Sequence, residues 1–216
     1  MKALLTPILF STLLLAGCSK DNNSGGSNTA TSYLAVSAGS TWNYHVENKK
    51  NAASSFNYTL TSSNRDSTIN SKSYHVYTSS VGGNEYYAHI GSDYFQQASL
   101  TGLDQGLELL YLKDAAVGTS WSETKSISLS GLALPTTFNY SIEDKLASYT
   151  VGTQTFNDVL KVKVTLVPTG LVVASQKLEF YYAPNVGRVK SQIQLSVPLA
   201  AIDVDTETNL VSSNIK

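Results

Sequence analysis

Residues able to do chemistry are few in this 216-residue chain, and they are scattered. His45, His75 and His89 are its three histidines, each inside a run of alternating aromatic residues. Three imidazoles gathered by a sheet could hold zinc with an open coordination position, but no His-x-His spacing supports such a site. Asp203, Asp205 and Glu207 recur at every second position, and Asp104 and Glu108 lie a short way apart. Alternate residues of a strand stand about 7 Å apart, whereas calcium is normally wrapped by the oxygens of one loop. The acidic triplet therefore reads as a charged strand edge that resists sheet-to-sheet aggregation, and Pro198 in the strand before it suits an edge. No Gly-x-Ser-x-Gly elbow, phosphate-binding loop or His-Glu-x-x-His motif is present. The expectation is a protein that is not an enzyme, with no catalytic residue, no metal and no cofactor.

The tyrosines are better placed to touch a ligand. There are 13 of them, and Tyr86, Tyr87, Tyr94, Phe95, Tyr181 and Tyr182 form paired aromatics in strand-like stretches. Neighbours on a strand point to opposite faces, so one ring of each pair must look outward or into a cleft. Sugars and apolar acyl groups both bind such surfaces. The competing reading is that these rings are core and rim packing of a tyrosine-rich sheet.

The elements that must position these groups are strands. Leu160, Val162, Val164 and Leu166 alternate with Lys161, Lys163 and Thr165, a period of two. Leu178, Phe180 and Tyr182 alternate with Lys177, Glu179 and Tyr181 in the same way. Val189, Ile193, Leu195, Val197 and Leu199 are assigned to one dry face, with Arg188, Lys190, Gln192 and Gln194 on the wet one. Trp42, Tyr44 and Val46 repeat the pattern early in the chain. Turns fall at Val81-Gly82-Gly83-Asn84, Gly91-Ser92-Asp93, Gly152-Thr153 and Ala183-Pro184-Asn185-Val186-Gly187. Only Leu103 to Asp114 could be helical, and it reads equally well as a strand.

The chain also resembles itself. Gly39-Ser40-Thr41-Trp42 answers Gly118-Thr119-Ser120-Trp121, and Phe56-Asn57-Tyr58 answers Phe138-Asn139-Tyr140. Thr68 to Tyr74 answers Thr150 to Phe156, and Tyr86-Tyr87-Ala88 answers Tyr181-Tyr182-Ala183, all in the same order. Two halves, at about 39–98 and 118–199, are each expected to be a run of antiparallel strands led by a Gly-x-x-Trp corner. Short connections make the sheet antiparallel, and the length of the Val186 to Leu199 stretch favours curling it around a core. The fold class expected is all-β: one domain over 33–216, a strongly curved antiparallel sheet or open barrel, with a β-sandwich as the alternative.

Composition narrows the function classes. A net charge of −1 and a pI near 6.3 exclude a nucleic-acid partner, which needs a basic face. Charged residues make up 14% of the chain, well under the roughly 25% usual in soluble domains.

At the amino terminus, Met1-Lys2 precedes an apolar run from Ala3 to Ala16 that is shorter than the roughly 20 residues of a membrane-spanning helix, so residues 1–17 read as a secretion signal. Leu15-Ala16-Gly17-Cys18 resembles the bacterial lipobox. That resemblance implies cleavage before Cys18, a diacylglyceryl thioether on its sulfur and a further acyl chain on its amino group. Each buried methylene contributes about 0.8 kcal/mol, and two or three chains make attachment stable. Ser19 to Ser32 is a Ser-, Asn- and Gly-rich tether within the 18–32 lead segment, with a span on the order of 20 Å. With its one cysteine used as the anchor, the chain has no disulfide and no thiolate metal site.

Gly39 to Tyr44, with its Gly-x-x-Trp-x-Tyr order, and Tyr181 to Val189, with Tyr-Tyr-Ala-Pro-x-Val-Gly-x-Val, resemble a group of uncharacterised Bacteroidota outer-membrane lipoproteins over most of the mature chain. The motifs are structural, a tight turn feeding a long strand, and bring no catalytic residue with them. The resemblance implies a lipid-anchored cell-envelope protein, on the periplasmic face or the cell surface. Its expected partners are the membrane, through the lipid on Cys18, and an apolar or glycan ligand or an envelope protein. The alternatives are a hydrolase acting on envelope or dietary polymers and a purely structural envelope protein.

Overall fold

A computed structural model describes residues 32–98, 106–129 and 132–216; Cys18, the tether apart from its last residue Ser32, and Asp104 lie outside them. Twelve antiparallel strands form one sheet: β1 (Thr41–Asn48), β2 (Phe56–Ile69), β3 (Lys72–Ser79), β4 (Asn84–Ile90), β5 (Asp93–Ala98), β6 (Leu107–Lys113), β7 (Ser120–Leu129), β8 (Leu132–Val151), β9 (Gln154–Pro168), β10 (Ser175–Ala183), β11 (Gly187–Val197) and β12 (Ile202–Asn214). The strand order is β6-β5-β4-β3-β2-β1-β12-β11-β10-β9-β8-β7. Every strand pairs with its sequence neighbours except at one place: the first and last strands, β1 and β12, pair with each other, while β6 and β7 do not. The sheet curls into a nearly closed barrel with a seam between β6 and β7. It is therefore a barrel and not the alternative sandwich, and the ambiguous Leu103 to Asp114 stretch contributes β6.

The four self-similar segments fall on strands of equal rank. Trp42 and Trp121 are the second residues of β1 and β7, the two Phe-Asn-Tyr triplets lie in β2 and β8, Tyr74 and Phe156 in β3 and β9, and the two Tyr-Tyr-Ala triplets in β4 and β10. Register differs between the halves: Trp121 stands opposite Tyr140, whereas Trp42 stands opposite Leu60 and Tyr44 opposite Tyr58. A difference of two residues keeps the same face, so both halves still stack a tyrosine on an aromatic residue of the leading strand, at 5.0 Å for Tyr44–Tyr58 and 5.1 Å for Trp121–Tyr140.

Alternation along the strands separates a dry interior from a charged exterior. Ile142, Leu160, Val162, Val164, Leu178 and Tyr182 are buried in one cluster. On the opposite face of these strands, Lys161 bridges Glu179 at 2.9 Å and Glu143 at 3.2 Å, and on β11 and β12 Lys190 meets Glu207 at 3.0 Å. Charge outside and hydrocarbon inside is the reverse of a membrane-spanning barrel.

Two sequence expectations are corrected. Asp203, Asp205 and Glu207 do not lie on a sheet edge, because β12 is hydrogen-bonded to β1 on one side and β11 on the other; Pro198 lies in a short 3-10 turn ahead of it. Arg188 does not share the outer face with Lys190. A register shift between Tyr181 and Tyr182 pairs Tyr181 with Lys190 and Tyr182 with Arg188, so Val189 becomes the extra residue and Arg188 turns inward.

The segment from Ser32 to Ser40 lies across one end of the barrel as a strap. Asn185 N–H donates to the Ser32 carbonyl at 2.6 Å, Tyr77 Oη to the Ala35 carbonyl at 2.6 Å and Ser62 Oγ to the Val36 carbonyl at 3.0 Å. Tyr33 is 3% exposed and its N–H donates to Tyr94 Oη at 3.2 Å.

Candidate functional site

Large rings fill the middle of the barrel. Trp42 on β1 meets Tyr77 on β3 at 5.6 Å, Tyr77 meets Tyr87 on β4 at 5.4 Å, Tyr87 meets Tyr111 on β6 at 5.8 Å, and Tyr111 meets Tyr182 on β10 at 5.4 Å. Strands β6 and β10 are not neighbours, so this chain of rings crosses the interior. Arg188 enters the same space, its Nη2 donating to Tyr58 Oη at 2.8 Å and its guanidinium 5.4 Å from the Tyr44 ring centre. Burial pushes the phenols of Tyr44, Tyr87, Tyr111 and Tyr182 well above their ordinary value, so all four stay neutral donors. A cavity of only about 40 Å³ is left among these groups.

At the end of the barrel away from the strap, the inward positions are aliphatic. A pocket of about 530 Å³ opens there, lined by Ile127 of β7, Leu166 of β9, Ile193, Leu195 and Val197 of β11, and Ile202 and Val204 of β12, together with Leu171 and Val173 of the β9–β10 loop. Thr136 and Asp203 are its polar members, and Thr136 is 3% exposed. Barrel diameter grows with strand number, and about eight strands already leave an interior just wide enough for side chains to fill. In a twelve-stranded barrel, tyrosine and tryptophan reach across and close the middle, whereas isoleucine, leucine and valine fall short and leave a hollow. Two further aliphatic side chains rise beside the opening, Val172 at 72% and Leu199 at 80% exposed.

The aromatic residues expected to contact a ligand are dispersed. Tyr87 and Tyr182 line the small central cavity. Tyr94 is fully buried, with the His89 ring stacked on it at 4.1 Å. Tyr181 is buried and stacks on Tyr149 at 4.7 Å. Phe95 lies under the Lys72 ammonium at 3.3 Å, a cation–π contact, with Glu108 holding Lys72 at 3.0 Å. Tyr86 is half-buried near Asn84. None of these residues is among those lining the aliphatic pocket. The signal that could have found the pocket was the dry face of β11, where Ile193, Leu195 and Val197 follow one another without an aromatic residue.

His75 and His89 border one open surface pocket with Asp66, but among the described residues no three His, Cys, Asp or Glu side chains assemble into a metal-holding group. His45 Nδ1 bonds Asn57 at 2.8 Å. His75 lies between two partners, Ser62 Oγ at 2.8 Å from Nε2 and Asp66 Oδ1 at 2.9 Å from Nδ1. A bulge in β2 between Ser62 and Asp66 brings both toward His75. The order and spacing are those of a nucleophilic relay, yet Ser62 is 1% exposed and its Oγ donates to the Val36 carbonyl of the strap. An acyl carbon has no approach to that oxygen, and the trio instead pins the strap to β2 and β3.

No protein-family model matches the chain. No curated protein is similar to it. A solved structure of a putative lipoprotein from Parabacteroides distasonis is similar over 85% of this chain and 99% of its own, with 14% identity and a TM-score of 0.44.

Proposed function

We propose that this chain is a lipid-anchored lipoprotein of the bacterial cell envelope, attached at the outer membrane, whose barrel holds the hydrocarbon part of a ligand without catalysis. The observation that carries the reading is the aliphatic pocket of about 530 Å³, within the roughly 300–1,000 Å³ of small-molecule sites. Its lining favours an acyl chain over a glycan, since a sugar needs aromatic faces and many hydrogen-bond partners and this pocket offers Thr136 and Asp203 alone as polar side chains. Anchoring rests on Leu15-Ala16-Gly17-Cys18, in which the thiol directly follows the small residues a leader peptidase requires.

Native mass spectrometry on protein extracted from its own membrane without detergent, in polymer-bounded bilayer discs, tests both parts. The expected spectrum shows acylated Cys18 and a second, non-covalent acyl species that is lost from a Leu195→Trp variant. A chain found empty in every preparation rules out the container. Cys18→Ser should release the protein from the membrane fraction and abolish palmitate labelling; retention with no label in either form rules out the anchor.

A further inference from the structure

Three hairpin connections meet at the aliphatic end of the barrel: β7–β8, β9–β10 and β11–β12. No charged residue occurs from 126 to 142, from 164 to 176 or from 191 to 202. The connections are laced together, Thr169 N–H donating to the Pro135 carbonyl at 2.8 Å and Ala174 N–H to the Ser196 carbonyl at 2.9 Å. Leu171 and Val173 line the pocket, while Val172 between them is strongly exposed. Leu199, in the 3-10 turn between Val197 and Ala201 of the same lining, is strongly exposed as well. Asp203, the one charged member of the lining, is ion-paired with Lys50.

A polar rim surrounds the apolar centre of an ordinary protein interface, but here the rim itself is aliphatic and uncharged. Hydrocarbon rejects charge and accepts leucine and valine. Set against a bilayer, the pocket mouth would be continuous with the acyl layer, and a chain could pass between them without crossing water. The reach is sufficient too. β11 runs from the strap to the pocket over 11 residues, roughly 33 Å, whereas the chain between Cys18 and Ser32 spans about 46–50 Å when extended. An anchor at Cys18 and contact at the far end of the barrel are therefore compatible with one bilayer.

We propose that this end of the barrel docks on a lipid bilayer, with Leu199 and Val172 entering the edge of the hydrocarbon and the aliphatic pocket opening onto the acyl chains. This rests on Cys18 as the anchor that keeps the chain beside a bilayer and on the hollow as an acyl container, and it adds the source of the acyl chain: a lipid of the membrane on which the rim sits.

The test is tryptophan fluorescence of the full membrane-extracted chain, mixed with excess vesicles of phosphatidylethanolamine and phosphatidylglycerol, with and without bromine on the acyl chains. Leu199→Trp and Val172→Trp should each add emission that shifts to the blue on vesicles and is quenched by the brominated lipid, beyond the signal of the two native tryptophans. Val81→Trp, an exposed position in the β3–β4 connection at the strap end, should stay unquenched. Leu199→Asp beside the Val172→Trp reporter should lift the quenching, because a carboxylate resists entry into hydrocarbon. Quenching at Val81→Trp alone, or at none of these positions, overturns the docking. Blue emission of Leu199→Trp without vesicles that reverts on dilution also overturns it, since a second copy then covers the rim. Intact mass of the same preparation reads acylation of Cys18 and its native spectrum reads a bound acyl species, so failure of the anchor, of the container and of the docking are three separate results.

Discussion

Across the β6–β7 seam, Trp121 Nε1 donates to the Leu110 carbonyl at 2.8 Å. Leu110 N–H in turn donates to Glu123 Oε1 at 2.8 Å. Two side chains of β7 thus satisfy both backbone groups of one β6 residue, where a neighbouring strand would do so in the rest of the barrel. Stacking on Tyr140 at 5.1 Å and an interplanar angle of 2° holds the indole in place. Trp121→Phe keeps the stack and removes the donor, leaving the Leu110 carbonyl unpaired at a cost of about 1–2 kcal/mol. Urea unfolding should show that loss, and amide exchange should accelerate in β6 before any other strand. If β6 exchanges no faster in the variant, the seam is closed by something other than these bonds.

Filled and hollow parts of the interior should respond differently to the same truncation. Leu160 is 2% exposed among tightly packed neighbours, so Leu160→Ala opens a new cavity and should cost about 2–5 kcal/mol. Leu195 borders space that is already empty; Leu195→Ala enlarges it and forfeits mainly transfer energy, about 1–2 kcal/mol. Denaturant titration of the two variants without added ligand measures the gap. Equal losses would mean that the aliphatic end is packed shut in solution.

Much of the architecture was legible because the interior is dry. Alternation in β9 and β10 and the paired Gly-x-x-Trp corners mark strands, their facing and two comparable halves from residue types alone. Closure was not legible: nothing in β1 or β12 announces that the first and last strands pair, since a ladder uses backbone groups common to every residue. That is why Asp203, Asp205 and Glu207 read as an edge. Arg188 shows a second limit. Period-two counting assumes an unbroken ladder, and one extra residue at Val189 inverts the facing of everything before it. The aliphatic pocket was hidden for a related reason, since a dry face reads the same whether it meets a partner or a void.

Glu207 lies in the middle of the sheet, and this gives it a measurable titration. Burial raises its carboxyl, but hydrogen bonds from Asn209 and Gln192 and the Lys190 ammonium outweigh that and hold it at about 2. A folded value depressed below the ordinary 4.5 means that ionised Glu207 stabilises the fold above pH 4.5 and that this contribution disappears as pH falls toward 2. Allowing for solvent screening, it amounts to about 1–2 kcal/mol. Glu207→Gln should therefore flatten the stability profile between pH 4.5 and 2 while leaving Lys190 without its partner at neutral pH. A variant profile parallel to the parent's over that window would show that Glu207 titrates normally.

Gly187 and Tyr33 meet where the strap crosses the barrel end. Gly187 has φ +97°, and a Cβ built on it would stand 3.3 Å from the Tyr33 carbonyl oxygen. Gly187→Ala therefore carries both a left-handed backbone penalty and a push on the strap, about 1–3 kcal/mol in total. Limited proteolysis should cut the Ser32–Ser40 segment faster in this variant than in the parent. Unchanged cutting would mean that the strap is held without the close approach at Gly187.

The Ser62–His75–Asp66 trio separates a hydrogen-bonded clasp from a hydrolytic site. Ser62 Oγ already donates to Val36, and both Ser62 and Gly39 are tied through the backbone, Gly39 N–H to the Ser62 carbonyl and Ser62 N–H to the Ser40 carbonyl, each at 2.9 Å. A nucleophile must offer an open oxygen beside a base and a set of oxyanion donors, whereas here the strap occupies the space in front of the hydroxyl. A fluorophosphonate probe should leave Ser62 unlabelled in the intact protein. His75→Ala should loosen the strap, raising exchange at Val36 to Ser40 and costing about 1–2 kcal/mol through the two lost bonds. Stoichiometric labelling at Ser62 that vanishes in His75→Ala would instead make the clasp a gate and the protein an enzyme. The two outcomes are opposed because the same oxygen cannot both donate to Val36 and attack a substrate.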